Sequence, residues 1–464
     1  MYYRLKSTYA LRGWKKMSWA LVKCPENKVK TLNQEAFQAL LLCDGETELN
    51  EYASDEMKQL LCKFEEEGII ELCQAGTILE KEQYYRYYDN RFVRSVFWSI
   101  TGRCNYRCRH CYMDAPKGAL GELSHELAIH LIDEMAECGV LCVDITGGEP
   151  FVRTDFWSLI DRILFHKMTI GQVYTNGWLL NDKVLDEFEH RNMKPEFSIS
   201  FDGVGWHDWM RGINGAEEAA LKALKLCIRR GFSVNVEMCV HKGNQDTLSE
   251  TVKLLSAIGV PVMKVSNISL TNLWKRNSEG KALGVREYTE AMIRYIPHFY
   301  EAGMPMNLIL AGVITLYKNS EKFSVIPIKY NGTEKCKERH LCGAARYACY
   351  ITPEGRLLPC MPMTACKEQE MFPLVQDIGL KKGLEDSFYM DIVDSRVKDL
   401  LAVNEKCALC DHKYQCGGGC RAVALEQTGD LMGCNGNQCI LWKEGYVDRI
   451  QETAKAAVAR YCGT

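Results

Sequence analysis

Three cysteines stand close together in Cys104-Asn-Tyr-Arg-Cys108-Arg-His-Cys111. Thiolates at this spacing can wrap three irons of a 4Fe–4S cluster and leave the fourth iron without a protein ligand. An open metal position is what a cluster needs if it is to bind a small molecule rather than only carry electrons. Structural zinc is the competing use, but it normally asks for two paired Cys or Cys/His knuckles. A second group lies downstream: Cys342, Gly355 and Cys360, then Cys407, Cys410, Cys416 and Cys420, with Cys434 and Cys439 beyond.

The chain has 23 cysteines in 464 residues. Its N-terminus, MYYRLKSTYALRGWKK, has neither an apolar core segment nor a small-residue cleavage site, so the expectation is a cytoplasmic protein. Thiols stay reduced there, and many of them point to metal rather than to a disulfide scaffold. Cys24, Cys43, Cys62, Cys73, Cys138, Cys142, Cys227 and Cys239 lie singly in apolar surroundings and read as packed small hydrophobes. A net charge of -3 gives no electrostatic case for nucleic acid or an anionic membrane. No apolar run is long enough to span a bilayer.

The elements that must position the thiols fall into three regions, too many for one core at this length. Residues 1–85 read as a small α+β unit. Two strands, YRLKSTYALRG and SWALVKC, precede a helix with an Asn cap and a Gly stop, and SDEMKQLLCKFEEEGIIEL is a second helix running into a strand. The tyrosine-rich stretch 80–92 reads as a linker or connecting helix. Over residues 86–310 six short strand signals (SVFWSIT, LCVDIT, GQVYT, FSISFD, FSVNVEM, VMKVSNI) alternate with helical segments. That predicts an α/β fold whose parallel sheet closes partly or fully into a barrel, with the chemistry at the C-terminal strand ends. In residues 311–464 strand signals thin out, and this part looks short of a core without metal to hold its loops.

CxxxCxxC after the first barrel strand, with an aromatic residue, His110, before the last cysteine, resembles the radical S-adenosylmethionine (SAM) superfamily. The resemblance continues through Gly147-Gly148-Glu149-Pro150 at the second strand end, similar to the motif that binds the SAM amino group through backbone and carboxylate. It runs on through Thr175-Asn176 at the third strand end. Ser200 and Asp202 at the fourth, followed by His207-Asp208 and Arg211, are similar to the segment near the SAM ribose and carboxylate. The resemblance implies a partial (β/α)6 TIM-like barrel in which the reduced cluster cleaves SAM. The product is a 5′-deoxyadenosyl radical that abstracts a hydrogen atom from an unactivated carbon.

The downstream group resembles the SPASM domain of radical SAM peptide and protein maturases, which implies three 4Fe–4S clusters in all. By that family's pattern Cys342, Cys360 and Cys420 share one auxiliary cluster with Cys349. Cys407, Cys410 and Cys416 share the other, closed by Cys439, with Cys434 as competitor. Cys349 as a packed thiol is the alternative, and Cys336, Cys366 and Cys462 have no place in the pattern. Residues 1–85 resemble the PqqD-like peptide recognition element, a winged-helix fold. Leu32-Asn33-Gln34, Cys43-Asp44-Gly45 and Glu67-Gly68-Ile69-Ile70 carry this likeness. It would bind a leader peptide by β-augmentation, whereas a winged helix for DNA would show a dense basic face.

Together these imply an enzyme that modifies a ribosomally made precursor peptide, using an electron donor such as ferredoxin or flavodoxin. The product favoured is a thioether crosslink, with carbon–carbon crosslinking or epimerisation as alternatives. Sulfatase maturases carry an aspartate after the cysteine that aligns with Cys360, and here the residue is Met361. A cluster-bearing electron carrier is the non-catalytic reading, but it needs no SAM motifs. Glu237 and Tyr350 are candidate bases.

Overall fold

The structure, a computed structural model, describes residues 1–49, 54–113, 118, 120–269 and 272–463. The N-terminal region opens with β1 (Tyr2–Leu5), β2 (Tyr9–Lys15), β3 (Met17–Lys23) and β4 (Lys28–Thr31). The expected first strand is therefore split, with a turn between β1 and β2. Helix α1 (Gln34–Leu41) starts where the Asn33 side chain accepts from the Ala36 amide. It ends at Leu42, short of Gly45. Ser54 caps α2 (Asp55–Glu66) through the Met57 amide, and β5 (Ile70–Cys73) pairs antiparallel with β1.

The stretch 80–92 is not a linker or helix: it forms β6 (Arg86–Arg91), which completes a sheet of order β4-β3-β2-β6. Its strand period explains this. Tyr88 stacks on Trp14 at 5.3 Å, and Asn90 Nδ2 donates to the Cys138 carbonyl at 2.9 Å. Trp14 Nε1 donates to the same carbonyl at 3.1 Å, so the sheet is fastened to the barrel.

The barrel strands are β7 (Ser95–Ser99), β8 (Cys142–Thr146), β9 (Thr169–Thr175), β10 (Glu196–Ser200), β11 (Val234–Val240) and β12 (Val262–Asn267). All six strand signals of the sequence fall on them. Between them lie α3 (His125–Glu137), α4 (Phe156–Phe165), α5 (Asp182–His190), α6 (His207–Arg211), α7 (Ala216–Arg229) and α8 (Leu248–Ile258). Past β12 come α9 (Asn272–Asn277) and α10 (Val285–Glu301). The strands β7 to β12 run parallel, joined by β13 (Asn307–Leu310) beside β12. The antiparallel β14 (Ile314–Leu316) and β15 (Phe323–Val325) close one edge. At the other edge β16 (Ala348–Ile351) runs parallel to β7, with β17 (Leu357–Leu358) outside it. The strand order is linear, so the barrel is partial.

Alternation sorts each strand. Val234, Val236, Met238 and Val240 of β11 are buried in the core under the helices, leaving Asn235, Glu237 and Cys239 for the inner face.

The last third does not stand alone. Leu357, Phe372, Tyr389, Leu425 and Ile450 belong to the same core cluster as the barrel strands. The C-terminal helix Tyr446–Tyr461 packs on α10, where Arg449 pairs with Glu290 at 2.7 Å. The expected shortage of core is met by sharing the barrel's.

Trp14 is fully buried and both stacks and donates across the joint between the N-terminal sheet and α3. Trp14→Ala should cost about 3–5 kcal/mol. Limited proteolysis of the variant should release the N-terminal region before the barrel is cut.

Candidate active site

The loop that carries Cys104, Cys108 and Cys111 leaves β7 at the C-terminal edge of the sheet, as a parallel barrel requires. Two neighbours hold its backbone. On one side the Gly148 amide donates to the Thr101 carbonyl at 2.8 Å and the Glu149 amide to the Arg103 carbonyl at 2.9 Å. A Cβ at Gly148 would collide with the Arg103 carbonyl, and one at Gly147 would sit 2.7 Å from that of Thr101. Only glycine lets the end of β8 approach so closely. On the other side, the Arg107 and Arg109 amides donate to the Arg211 and Met210 carbonyls at 3.1 and 2.9 Å.

The Glu149 carboxylate is fully buried. It accepts from Thr175 Oγ1 at 2.9 Å, the Asn176 amide at 2.9 Å and the Phe151 amide at 3.3 Å. Burial pushes its pKa up to about 7 against these donors. Asn176 Nδ2 donates to Asn105 Oδ1 at 2.8 Å, tying the end of β9 to the cysteine loop. Pro150 is buried at the start of a single 3-10 turn.

Asp202 is also fully buried. Arg211 Nε donates to its Oδ2 at 2.7 Å and the Cys239 amide to its Oδ1 at 3.0 Å. Burial opposes its ionisation, but Arg211 and His207 outweigh burial and hold the carboxyl far below the usual carboxylate range. Arg211 Nη1 also reaches Cys108 Sγ at 3.7 Å, placing a guanidinium against that thiol. Ser200 ends β10 half-buried on the inner face. Among the residues picked from the sequence, the half-open ones here are Gly147, Gly148, Ser200, His110, Asp208 and the three cysteines.

Inside the barrel, Glu237 Oε1 accepts from Lys264 Nζ at 3.0 Å. The Tyr350 hydroxyl bonds Ser99 Oγ at 2.7 Å and the Tyr112 hydroxyl at 3.1 Å. Burial pushes the Tyr350 phenol up to about 12, which makes it a weak proton acceptor near neutrality.

The downstream thiols separate into two places. Cys407, Cys410, Cys416 and Cys439 line one cavity. Cys434 is not in that lining; its Sγ lies 3.7 Å from Cys407 Sγ and 3.4 Å from Asn404 Oδ1. The second place holds Cys360, whose thiol faces Cys420, Cys342 and Cys366. Cys349 is not there: it sits in β16 opposite Val96, with its thiol facing Arg91 and Cys138. The strand period carries it into the core, where burial raises its pKa to about 12.

Two thiols outside the expected pattern flank the second place. Cys366 is buried and faces Cys420, while Cys336 shares the neighbourhood of the Tyr330 ring with Cys342. Arg421 was also missed: it is buried, donates to the Leu431 and Gly433 carbonyls at 2.9 and 3.0 Å, and faces Cys407 and Cys420. Its adjacency to Cys420 was the one available signal. Among the described residues no three Cys, His, Asp or Glu side chains converge tightly enough to chelate a single ion. Cys407, Cys410, Cys416 and Cys439 instead border one shared cavity.

Gly148→Ala should displace the Arg103–Cys104 backbone. Reconstituted protein should then lose about four irons per chain, read by iron analysis.

The sequence profile of the Radical SAM superfamily matches residues 98–255. An AdoMet-dependent heme synthase of Methanosarcina barkeri is 25% identical over 73% of this chain and 94% of its own length. A PqqA peptide cyclase of Granulibacter bethesdensis is 26% identical over 72% of this chain and 83% of its own. Streptococcus suis SuiB, solved bound to its precursor peptide SuiA, superposes with a TM-score of 0.61 at 15% identity, covering 94% of this chain and 99% of its own. That likeness is one of fold, and it spans nearly the whole molecule. Residues 98–255, a parallel α/β sheet with its cysteine loop at the strand ends, match the Radical SAM superfamily.

Proposed function

We propose that the chain modifies a ribosomally synthesised precursor peptide, forming a thioether between a cysteine sulfur and a carbon of the same peptide. The observation that carries the peptide reading is the open edge of the N-terminal sheet. Among the described residues strand β4 has no partner beyond β3, and a groove beside it is lined by Leu21, Val29 and Ile69 with Lys23, Lys28 and Lys30. An extended leader can add a strand there through main-chain hydrogen bonds, with side-chain pockets for specificity. The fastening of this sheet to α3 would then hold the rest of the peptide near the barrel at high effective concentration. The PqqA peptide cyclase and the SuiB–SuiA complex support the substrate class.

In this reading Cys104, Cys108 and Cys111 hold the SAM-binding cluster. Together with SAM it supplies the carbon-centred radical that removes a hydrogen atom from the peptide. The chain's own residues do the rest. The half-open Gly147, Gly148 and Ser200 are the positions free to touch SAM. Glu149, Asp202 and Arg211 act from behind as positioning residues, since their polar atoms are already engaged. Thr175, Asn176 and Pro150 fix the same strand ends. Glu237, part-exposed on the inner face, is the better placed proton acceptor, because Tyr350 is held protonated.

Cys407, Cys410, Cys416 and Cys439 would hold one auxiliary cluster, and Cys342, Cys360 and Cys420 the other. The structure supports Cys336 and Cys366, rather than Cys349, as neighbours for a fourth ligand. Cys349→Ser should therefore keep its full iron complement, whereas Cys360→Ser should lose about four irons per chain.

The functional test is incubation of anaerobically reconstituted protein with SAM, reductant and the cysteine-containing peptide encoded beside its gene, in ordinary and deuterated water. Mass spectrometry should show loss of two hydrogens, with fragmentation locating a sulfur–carbon bond. Uptake of one deuterium without that loss would replace crosslinking by epimerisation. An unchanged peptide would remove the peptide reading.

A further inference from the structure

The cavity formed by Cys407, Cys410, Cys416 and Cys439 has a basic rim. Lys406, Lys413 and Lys443 line it. Lys413 Nζ is spent on the Ala408 carbonyl at 2.7 Å. Lys406 and Lys443 have no ion-pair partner among the described residues, and both face the Cys439 thiol. Glu405 and Asp411, carried by the same segment, do not line the cavity. Leu409, between two of the cysteines, is 75% exposed, and Val403 nearby in sequence is 69% exposed. A chain of net charge -3 thus carries unpaired lysines and bare aliphatic side chains on the segment that holds these half-buried thiols.

We propose that this face docks an acidic one-electron carrier protein of the iron–sulfur or flavin class. The inference rests on the reading that these four thiols hold a cluster. Opposite charge steers such a partner and orients it, while a small apolar contact suits the brief, limited interfaces of electron-transfer pairs. One electron crosses per encounter: the reduced carrier is oxidised by one, the cluster is reduced by one, and no bond or proton changes hands.

The test uses the reconstituted full chain and an acidic flavodoxin. Carbodiimide crosslinking should join flavodoxin carboxylates to Lys406 and Lys443, as mapped by peptide mass spectrometry. Binding followed by fluorescence anisotropy should weaken about tenfold or more in the Lys406→Glu/Lys443→Glu double variant. It should also weaken at about 0.5 M salt, where charges are screened within a few ångströms. Cluster absorbance and dithionite-driven SAM cleavage should stay unchanged in the variant. Crosslinks falling at the barrel mouth instead, or an affinity indifferent to the two lysines, would overturn the docking site. Should the variant lose iron, the crosslink map of the unmodified chain decides alone. Failure of dithionite-driven SAM cleavage in the unmodified chain would strike the proposed function instead, wherever the carrier binds.

Discussion

Four backbone hydrogen bonds determine where the first cysteine loop lies. Two come from the amides of Gly148 and Glu149 to the carbonyls of residues 101 and 103; two run from the amides of residues 107 and 109 to the end of α6. Between those points the loop has little freedom, and its middle is anchored by the buried Tyr106 ring, edge-on to Trp178. The glycines are essential because the approach is closer than a Cβ permits. Everything at the strand ends is arranged to keep this clamp intact. Glu149 bridges β8 to β9, and Asp202 with Arg211 bridges β10 to α6 and Cys108.

That arrangement uses buried charge, which is costly unless each group is paired and hydrogen-bonded. Asp202 meets the condition with Arg211 and the Cys239 backbone amide. Glu149 has donors but no cation, and its raised pKa expresses the residual strain of burying it. The auxiliary region buries a charge of opposite sign: Arg421 lies among cysteines, with Nη1 donating to two carbonyls while its Nε has no hydrogen-bond partner among the described residues. A guanidinium there favours thiolates over thiols, which is the state metal ligation needs.

The barrel strands were legible because β-branched and aromatic runs repeat at regular spacing, and each motif ends a strand. The residues gathered around Glu149 and Asp202 were legible as motif members, but their roles were not. Periodicity does not reveal that Glu149 turns inward to Thr175 rather than outward. Strand β6 was missed because Arg86, Tyr87 and Asp89 are polar or exposed, and only contact with Trp14 and Cys138 makes its alternate face a buried one. At Cys349 the sequence left two readings open, cluster ligand or packed thiol. It lies between two cysteines of a spacing pattern, yet its register beside Val96 turns its thiol into the core. The merging of the last third with the barrel was invisible, since β16 joins β7 across about 250 residues of sequence through loop closure that no local pattern records.

The central claim is that the clamped loop holds a cluster whose open iron takes SAM. Electron paramagnetic resonance of the dithionite-reduced protein, with and without SAM, tests it most directly. Adding SAM should alter the signal of one cluster in the unmodified chain. In Cys108→Ala that signal and its response to SAM should vanish. A spectrum indifferent to SAM, or a SAM response that survives in Cys108→Ala, would contradict the account.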